Sequence, residues 1–240
     1  MSDPWRVAAE IAGEFRRTFG DRLESVVLYG SVPRREAVPG LSDVNLLVLL
    51  DDVEVRDLAA AGGLARRWVE AGNCAPLLFG WEELRRSADV FAIELADMRD
   101  RREVLAGRDP IPGLEIRSAS LRLQLERELR GRWTQLREGM MMAAGRPAEV
   151  GDLLLRALPT FACHCRAVLR LVDRDLPVET EDVIRAAGNV VGADPTAMVE
   201  AWAWRRAGGA PPVGLDHPVV AGFGTFVKRV IEWVDATQGA

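Results

Sequence analysis

The sequence predicts an α+β fold in which a small mixed β-sheet domain precedes an all-helical bundle. Three observations lead to this prediction: two apolar runs typical of strands lie early in the chain, glycines and prolines break regular structure around 107–116, and helical periodicity dominates afterwards. The chain has 240 residues, 48% of them hydrophobic, which is enough for two such domains. We therefore expect an α/β domain over residues 1–113 and a helical C-terminal domain over residues 114–240.

The first half of the chain alternates between helical and strand patterns. Asp3-Pro4 is a helix start, because aspartate caps a helix and proline suits its first turn, and an apolar stripe at helical spacing follows. The next run of apolar residues is uninterrupted, as in strands that are buried on both faces. The predicted elements after the first helix are strands at 24–29 and 43–50, a helix at 54–71, a third strand at 75–79 and helical turns at 81–87.

The segment 89–97 is compatible with two structures. Phe91, Ile93 and Leu95 alternate with smaller or polar residues, and this alternation favours a strand. Such a strand would put Glu94 on the face opposite the three bulky side chains. Over so short a run, a helix also remains open.

The second half of the chain shows only helical patterns. A long helix should open at Ser118 or Ser120, and helices at about 150–171, 180–191, 194–206 and beyond residue 218 should follow. The leucines and tryptophans of these helices exceed what one small bundle needs. We therefore expect a homodimer that forms through the C-terminal helices.

Composition argues against several classes of partner. A net charge of −5 makes nucleic acid an unlikely partner, and no apolar run reaches the roughly 18 residues that span a membrane. Three cysteines, Cys74, Cys163 and Cys165, do not form a disulfide framework. With no recognisable signal peptide, these features predict a cytoplasmic protein.

A candidate site lies where the first two predicted strands meet. Asp43 and Asn45 are two residues apart on a strand, so their side chains point to one face, about 7 Å apart at the backbone. Two such oxygen-bearing groups can share hard cations, typically Mg²⁺, that clamp a triphosphate. Gly30 would let the backbone approach a phosphate, Ser31 would donate its hydroxyl, and Arg34 follows where an arginine would bind phosphate.

Each of these residues also has a structural explanation. Gly30 would serve equally as a turn glycine, and Asn45 as a hydrogen-bonded polar group of the core. Glu94 would fit a solvent-facing position. Arg34 and Arg35 would fit an exposed loop.

The ordered set of motifs resembles the DNA polymerase β-like nucleotidyltransferase superfamily, especially the small bacterial adenylyltransferases that modify antibiotics. The family pattern is Gly-Ser, then Ala-Arg-Gly-Glu, then Ser-Asp-x-Asp before an apolar strand. The resemblance covers roughly residues 20–110. The matching residues are Gly30, Ser31, Arg34, Glu36, Ser42 and Asp43, and the departures are Pro33, Arg35 and Asn45. The chain is similar to a bacterial branch of the superfamily with Asn in place of the second metal-binding Asp.

The resemblance implies a nucleotide site and a reaction. The family takes a third carboxylate from a later strand, and Glu94 corresponds to it by order and by side-chain parity. Metal ligation by Asp43, Asn45 and Glu94 is thus implied, with Mg²⁺ as cofactor and ATP or another NTP as substrate. The implied reaction transfers a nucleotide, AMP above all, to a hydroxyl of a small molecule or a protein. Asp43 and Glu94 would be the catalytic residues, and the nucleotide would bind Gly30, Ser31, Arg34 and Asn45.

Asn45 decides how much activity to expect. Its amide oxygen can ligate a hard metal, but it neither neutralises charge nor accepts a proton. Nucleotidyl transfer depends mainly on positioning and on electrostatic stabilisation through the metal. Asn45 therefore predicts weak activity. The alternative is a catalytically inactive pseudoenzyme that senses nucleotide or binds a regulatory partner.

Overall fold

A four-stranded mixed β-sheet organises the first half of the chain. The computed structural model describes residues 3–237, which divide into two units between Ile116 and Arg117. Within this described range, the first unit contains the sheet with four α-helices and the second contains five α-helices. The predicted α+β fold class is confirmed.

The first unit follows the predicted order of elements up to its third helix. Strand β1 runs antiparallel to β2 and to β4, whereas β2 and β3 are parallel, and the sheet order is β3-β2-β1-β4. The parallel pair is joined by helix α2, as a parallel connection requires. The elements are α1 (Pro4–Phe19), β1 (Leu23–Tyr29), β2 (Asn45–Leu50), α2 (Val55–Glu70), β3 (Leu77–Gly80), α3 (Trp81–Arg86), α4 (Ala92–Asp100) and β4 (Arg102–Gly107).

Both faces of β1 and β2 are covered by helices. Val26 and Leu28 belong to a core that includes residues of α1 and α2. Val27 and Leu47 belong to a second core that includes residues of α3 and α4. Because successive strand residues point to opposite faces, burial on both sides requires the continuous apolar runs seen in the sequence.

The prediction of a strand over 89–97 is wrong, because Ala92–Asp100 forms helix α4. Its buried apolar residues have spacings that also suit a helix, since Leu95 and Ala96 lie one turn after Ala92. Over nine residues the two periodicities overlap, and tertiary packing selects the helix. The fourth strand is instead β4, which was not predicted, because its apolar stretch of Val104 to Ala106 is short and its residues are only partly buried or exposed.

The second unit is helical throughout, as predicted. Along α5, Leu121, Leu125, Leu129 and Leu136 are buried as one stripe. Within residues 3–237, no helix combines the length and the hydropathy needed to cross a membrane. The helices are α5 (Ser118–Met142), α6 (Pro147–Leu171), α7 (Thr180–Val191), α8 (Thr196–Arg206) and α9 (Pro218–Ala236).

Candidate functional site

The turn after β1 begins at Gly30, whose φ is +85°. A Cβ atom at this position would lie 2.9 Å from Nδ2 of Asn45. Glycine is therefore favoured for two reasons, the left-handed backbone and the close approach of the asparagine side chain. The sequence predicts either a phosphate-binding turn or a simple turn at Gly30, and the structure adds Asn45 as its immediate neighbour.

The residues after Gly30 form a compact, hydrogen-bonded turn. The amide of Glu36 donates to the carbonyl of Ser31 over 3.0 Å, and the amide of Arg35 donates to the carbonyl of Val32 over 3.0 Å. Arg35 adopts a φ of 60°, a conformation that a side chain normally avoids. Ser31 thus lies at the start of an ordered turn next to the end of β1.

Asp43 and Asn45 come together, although only Asn45 belongs to a strand. Asn45 is the first residue of β2 and is paired with Tyr29 of β1. Asp43 lies in the preceding loop, and its Oδ1 accepts a hydrogen bond from Nδ2 of Asn45 over 3.4 Å. The predicted proximity of the two side chains therefore arises from a loop and a strand end rather than from one continuous strand.

Two residues outside the predicted site, Asn73 and Cys74, form hydrogen bonds with this loop. Asn73 accepts the amide of Val44 at its Oδ1 over 3.0 Å and donates from Nδ2 to the carbonyl of Trp68 over 3.2 Å. The thiol of Cys74 donates to Oδ2 of Asp43 over 2.6 Å. A contact across 31 residues leaves no signal in a single sequence.

The Asp43 carboxylate changes the chemistry of Cys74. Its hydrogen bond, together with partial burial and its charge, raises the pKa of the Cys74 thiol to about 11. The thiol therefore remains protonated at neutral pH. Asp43 in turn has one oxygen beside a thiol donor and the other beside an amide donor.

Both Asp43 and Glu94 influence the pKa of Tyr29. Burial is the main cause that raises the pKa of Tyr29, and the ionised forms of Glu94, Cys74 and Asp43 raise it further. Asp43 and Glu94 therefore each lie within electrostatic range of this phenol, whose residue pairs with Asn45 across β1 and β2. Glu94 lies on helix α4 and not on a strand, so its predicted placement by strand parity is wrong.

Arg34 is engaged inside the first unit. Its Nη2 lies 2.8 Å from Oδ1 of Asp97 and donates to the Asp97 carbonyl over 3.2 Å. The Arg34 side chain is only 8% exposed and that of Asp97 only 15%. Arg34 is therefore not part of an exposed loop, whereas Arg35 is exposed. A role for Arg34 in binding phosphate remains a prediction.

The oxygen donors fit a Mg²⁺ ion that arrives with a nucleotide. Within residues 3–237, no three or more His, Cys, Asp or Glu side chains are grouped to hold a metal by themselves. Mg²⁺ in nucleotide sites is usually bound by one or two carboxylates together with substrate phosphates. Asp43 with the adjacent Asn45 offers oxygen donors of this kind, and the addition of Glu94 as a third ligand remains a prediction.

Comparisons with known proteins agree with this architecture. No protein-family model and no curated protein sequence matches the chain. Among solved structures it is similar to a spectinomycin adenyltransferase from Enterococcus faecialis, crystallised with ATP and spectinomycin, with a TM-score of 0.56 and 11% identity over 94% of this chain and 98% of the neighbour. At this identity the likeness concerns the fold. The chain therefore has a nucleotidyltransferase-like fold, and the resemblance inferred from the motifs is confirmed at that level.

Proposed function

We propose that this protein binds ATP together with Mg²⁺ and transfers AMP only slowly to an acceptor hydroxyl. The observation that carries the proposal is the placement of Asp43 and Asn45 side by side next to the Gly30 turn. The nucleotidyltransferase-like fold supports it, since the similar structure was solved with ATP.

The proposed roles follow from the chemistry of each group. The Gly30 and Ser31 turn would receive phosphate oxygens, and Asp43, Asn45 and Glu94 would provide oxygen ligands. When bound, Mg²⁺ would supply charge neutralisation of the triphosphate. In transfer, the acceptor oxygen bonds to the α-phosphorus, the bond to the departing pyrophosphate breaks, and the hydroxyl proton passes to the Glu94 carboxylate.

Asn45 supports binding more strongly than transfer. A second aspartate would add a negative charge at the metal, whereas Asn45 is neutral and turns its amide nitrogen toward Asp43. Less charge at the metal means less stabilisation of the transition state. The same observation favours a second candidate function, a catalytically inactive nucleotide sensor or a protein that binds a regulatory partner.

Calorimetry with ATP tests the binding proposal. We expect wild-type protein to bind ATP in the presence of Mg²⁺ and Asp43→Ala to bind it at least about tenfold more weakly, because the substitution removes a carboxylate ligand. Asp21→Ala is a suitable control, since Asp21 is exposed and lies before β1, at the end opposite Gly30. Absence of wild-type binding at millimolar ATP would refute the proposal.

Label transfer from α-labelled ATP separates slow transfer from nucleotide sensing. Spectinomycin is the first acceptor to test because the similar structure contains it, and self-labelling of the protein should be measured in parallel. Slow transfer predicts weak labelling that increases in Asn45→Asp. Labelling that appears only in Asn45→Asp would identify the native chain as a sensor. Wild-type turnover at or above the enzyme median of about 10 s⁻¹ would contradict both.

A further inference from the structure

We infer that Arg34 is a positioning residue that acts through Asp97 to hold Glu94, and that it is not a ligand of the nucleotide phosphates. This inference rests on the proposed nucleotide function, because it assigns how one residue of the same site works. It concerns the arginine of the Gly-Ser motif, which by its place in the sequence would have been expected to face the triphosphate.

The ion pair between Arg34 and Asp97 is mostly shielded from water. One guanidinium nitrogen, Nη2, contacts both the Asp97 carboxylate, at 2.8 Å, and the Asp97 carbonyl, at 3.2 Å. Nε of Arg34 is buried and, among the described residues, has no hydrogen-bond partner. A phosphate arriving from solvent would meet a guanidinium whose Nη2 is already paired with Asp97 and whose side chain is largely covered. Separating such a buried pair leaves an uncompensated charge.

Asp97 also occupies a position on α4 where a cation is favourable. It lies in the last turn of this helix, which ends at Asp100, and its carbonyl also accepts the amide of Arg101 over 3.3 Å. Carbonyl groups near a helix C-terminus carry partial negative charge and attract cations. Arg34 thus has two reasons to stay on α4, the carboxylate and the helix end.

The same helix carries Glu94 one turn before Asp97. The helix packs on the sheet through buried apolar residues such as Leu95 and Met98. Apolar packing of this kind is not directional, whereas a charged hydrogen bond fixes orientation. Arg34 is four residues after Gly30, so the ion pair joins the turn after β1 to the helix that carries Glu94.

This arrangement predicts a specific pattern of nucleotide affinity. If Arg34 acts by placing Glu94, its loss should weaken the part of ATP binding that depends on Mg²⁺ and spare the part that does not. If Arg34 instead contacted phosphate, its loss would weaken ATP binding equally with and without the metal. The ratio of ATP dissociation constants in EDTA and in Mg²⁺ separates the two cases.

The experiment compares wild type with Arg34→Met, Asp97→Asn and the double variant, with ATP affinity measured by calorimetry in Mg²⁺ and in EDTA. We expect each single variant to lower the ratio of the ATP dissociation constant in EDTA to that in Mg²⁺ about tenfold. This is the lower end of the usual effect of groups that orient metal ligands. The double variant should lower it no further, because both substitutions remove one interaction. Glu94→Gln should lower the same ratio.

Three results would overturn the inference. The first is an Arg34→Met protein whose ATP affinity falls by the same factor in EDTA and in Mg²⁺, while Asp97→Asn binds ATP as the wild type does. The second is an equal fall of the ratio in Asp57→Asn, a control that breaks another arginine–aspartate pair, with Arg22 at the other end of β1. The third is a wild type that binds no ATP, which would refute the proposed function as well. If Arg34→Met does not fold, the nearly isosteric Asp97→Asn decides the outcome, with folding checked by circular dichroism.

Discussion

Replacement of Asp43 by asparagine should make Cys74 more reactive toward thiol reagents. The thiol is exposed, yet it donates to the Asp43 carboxylate, which holds its pKa at about 11. The hydrogen bond is the largest cause of this shift, and the charge of Asp43 adds to it. Asp43→Asn removes the negative charge and the strong acceptor while keeping the size of the side chain.

The size of the effect follows from two opposing terms. A complete return of the thiol pKa from about 11 to its ordinary value of 9.0 would raise the thiolate fraction near neutral pH by about 100-fold; this is an upper bound, because the partial burial of Cys74 stays. A thiolate of lower pKa is also a weaker nucleophile, and over two pKa units this lowers its reactivity by about tenfold. We therefore expect a net acceleration of at most about tenfold at about pH 8.

The assay is the rate of reaction with an aromatic disulfide reagent between about pH 7 and 9.5. A Cys163→Ala and Cys165→Ala background leaves Cys74 as the reacting cysteine. The matched control is Asp51→Asn, which replaces an exposed aspartate at the opposite end of β2 and should leave the rate unchanged. Equal rates in Asp43→Asn and in its parent would refute the hydrogen bond and with it the described geometry of the Asp43 loop.

Two further substitutions test the structure independently. Gly107→Ala should lower the free energy of unfolding, measured by urea titration, by more than Gly40→Ala does. Both glycines have positive φ. A Cβ at Gly107 would lie 2.0 Å from a backbone oxygen of the neighbouring strand, whereas a Cβ at Gly40 would have nothing within 4 Å. Strain alone should cost about 1–2 kcal/mol, and equal losses would argue against the close packing of β1 and β4. Cys74→Ala should strengthen Mg²⁺-dependent ATP binding severalfold in calorimetry, because it removes a donor that competes for the Asp43 carboxylate; unchanged affinity would show that the thiol does not compete with the metal.

Much of the first unit could be predicted from local patterns. Strands β1 and β2 are buried on both faces, so their apolar runs are unbroken and easily recognised. Gly30 and Asp43 follow and precede these runs, and their neighbourhood follows from the antiparallel pairing of Tyr29 with Asn45.

Two elements of the first unit, helix α4 and strand β4, were not predicted correctly, because their local patterns do not specify one structure. Residues 89–97 have apolar side chains at both strand and helix spacing, and only packing against the sheet selects helix α4. Strand β4 has only a short apolar run, Val104 to Ala106, because its side chains are only partly covered. Its place in the sheet comes from hydrogen bonds with β1, which a sequence pattern does not reveal.

The sequence by itself determined the fold class and the order of the motif residues, because buried strands and tight turns impose requirements on neighbouring residues. It also determined that Asn45 stands where a second carboxylate would be expected. Only the tertiary structure decided that Cys74 contacts Asp43, that Glu94 comes from a helix and that Arg34 is paired with Asp97. These contacts join segments far apart in the chain, and their partners are selected by packing and charge in three dimensions.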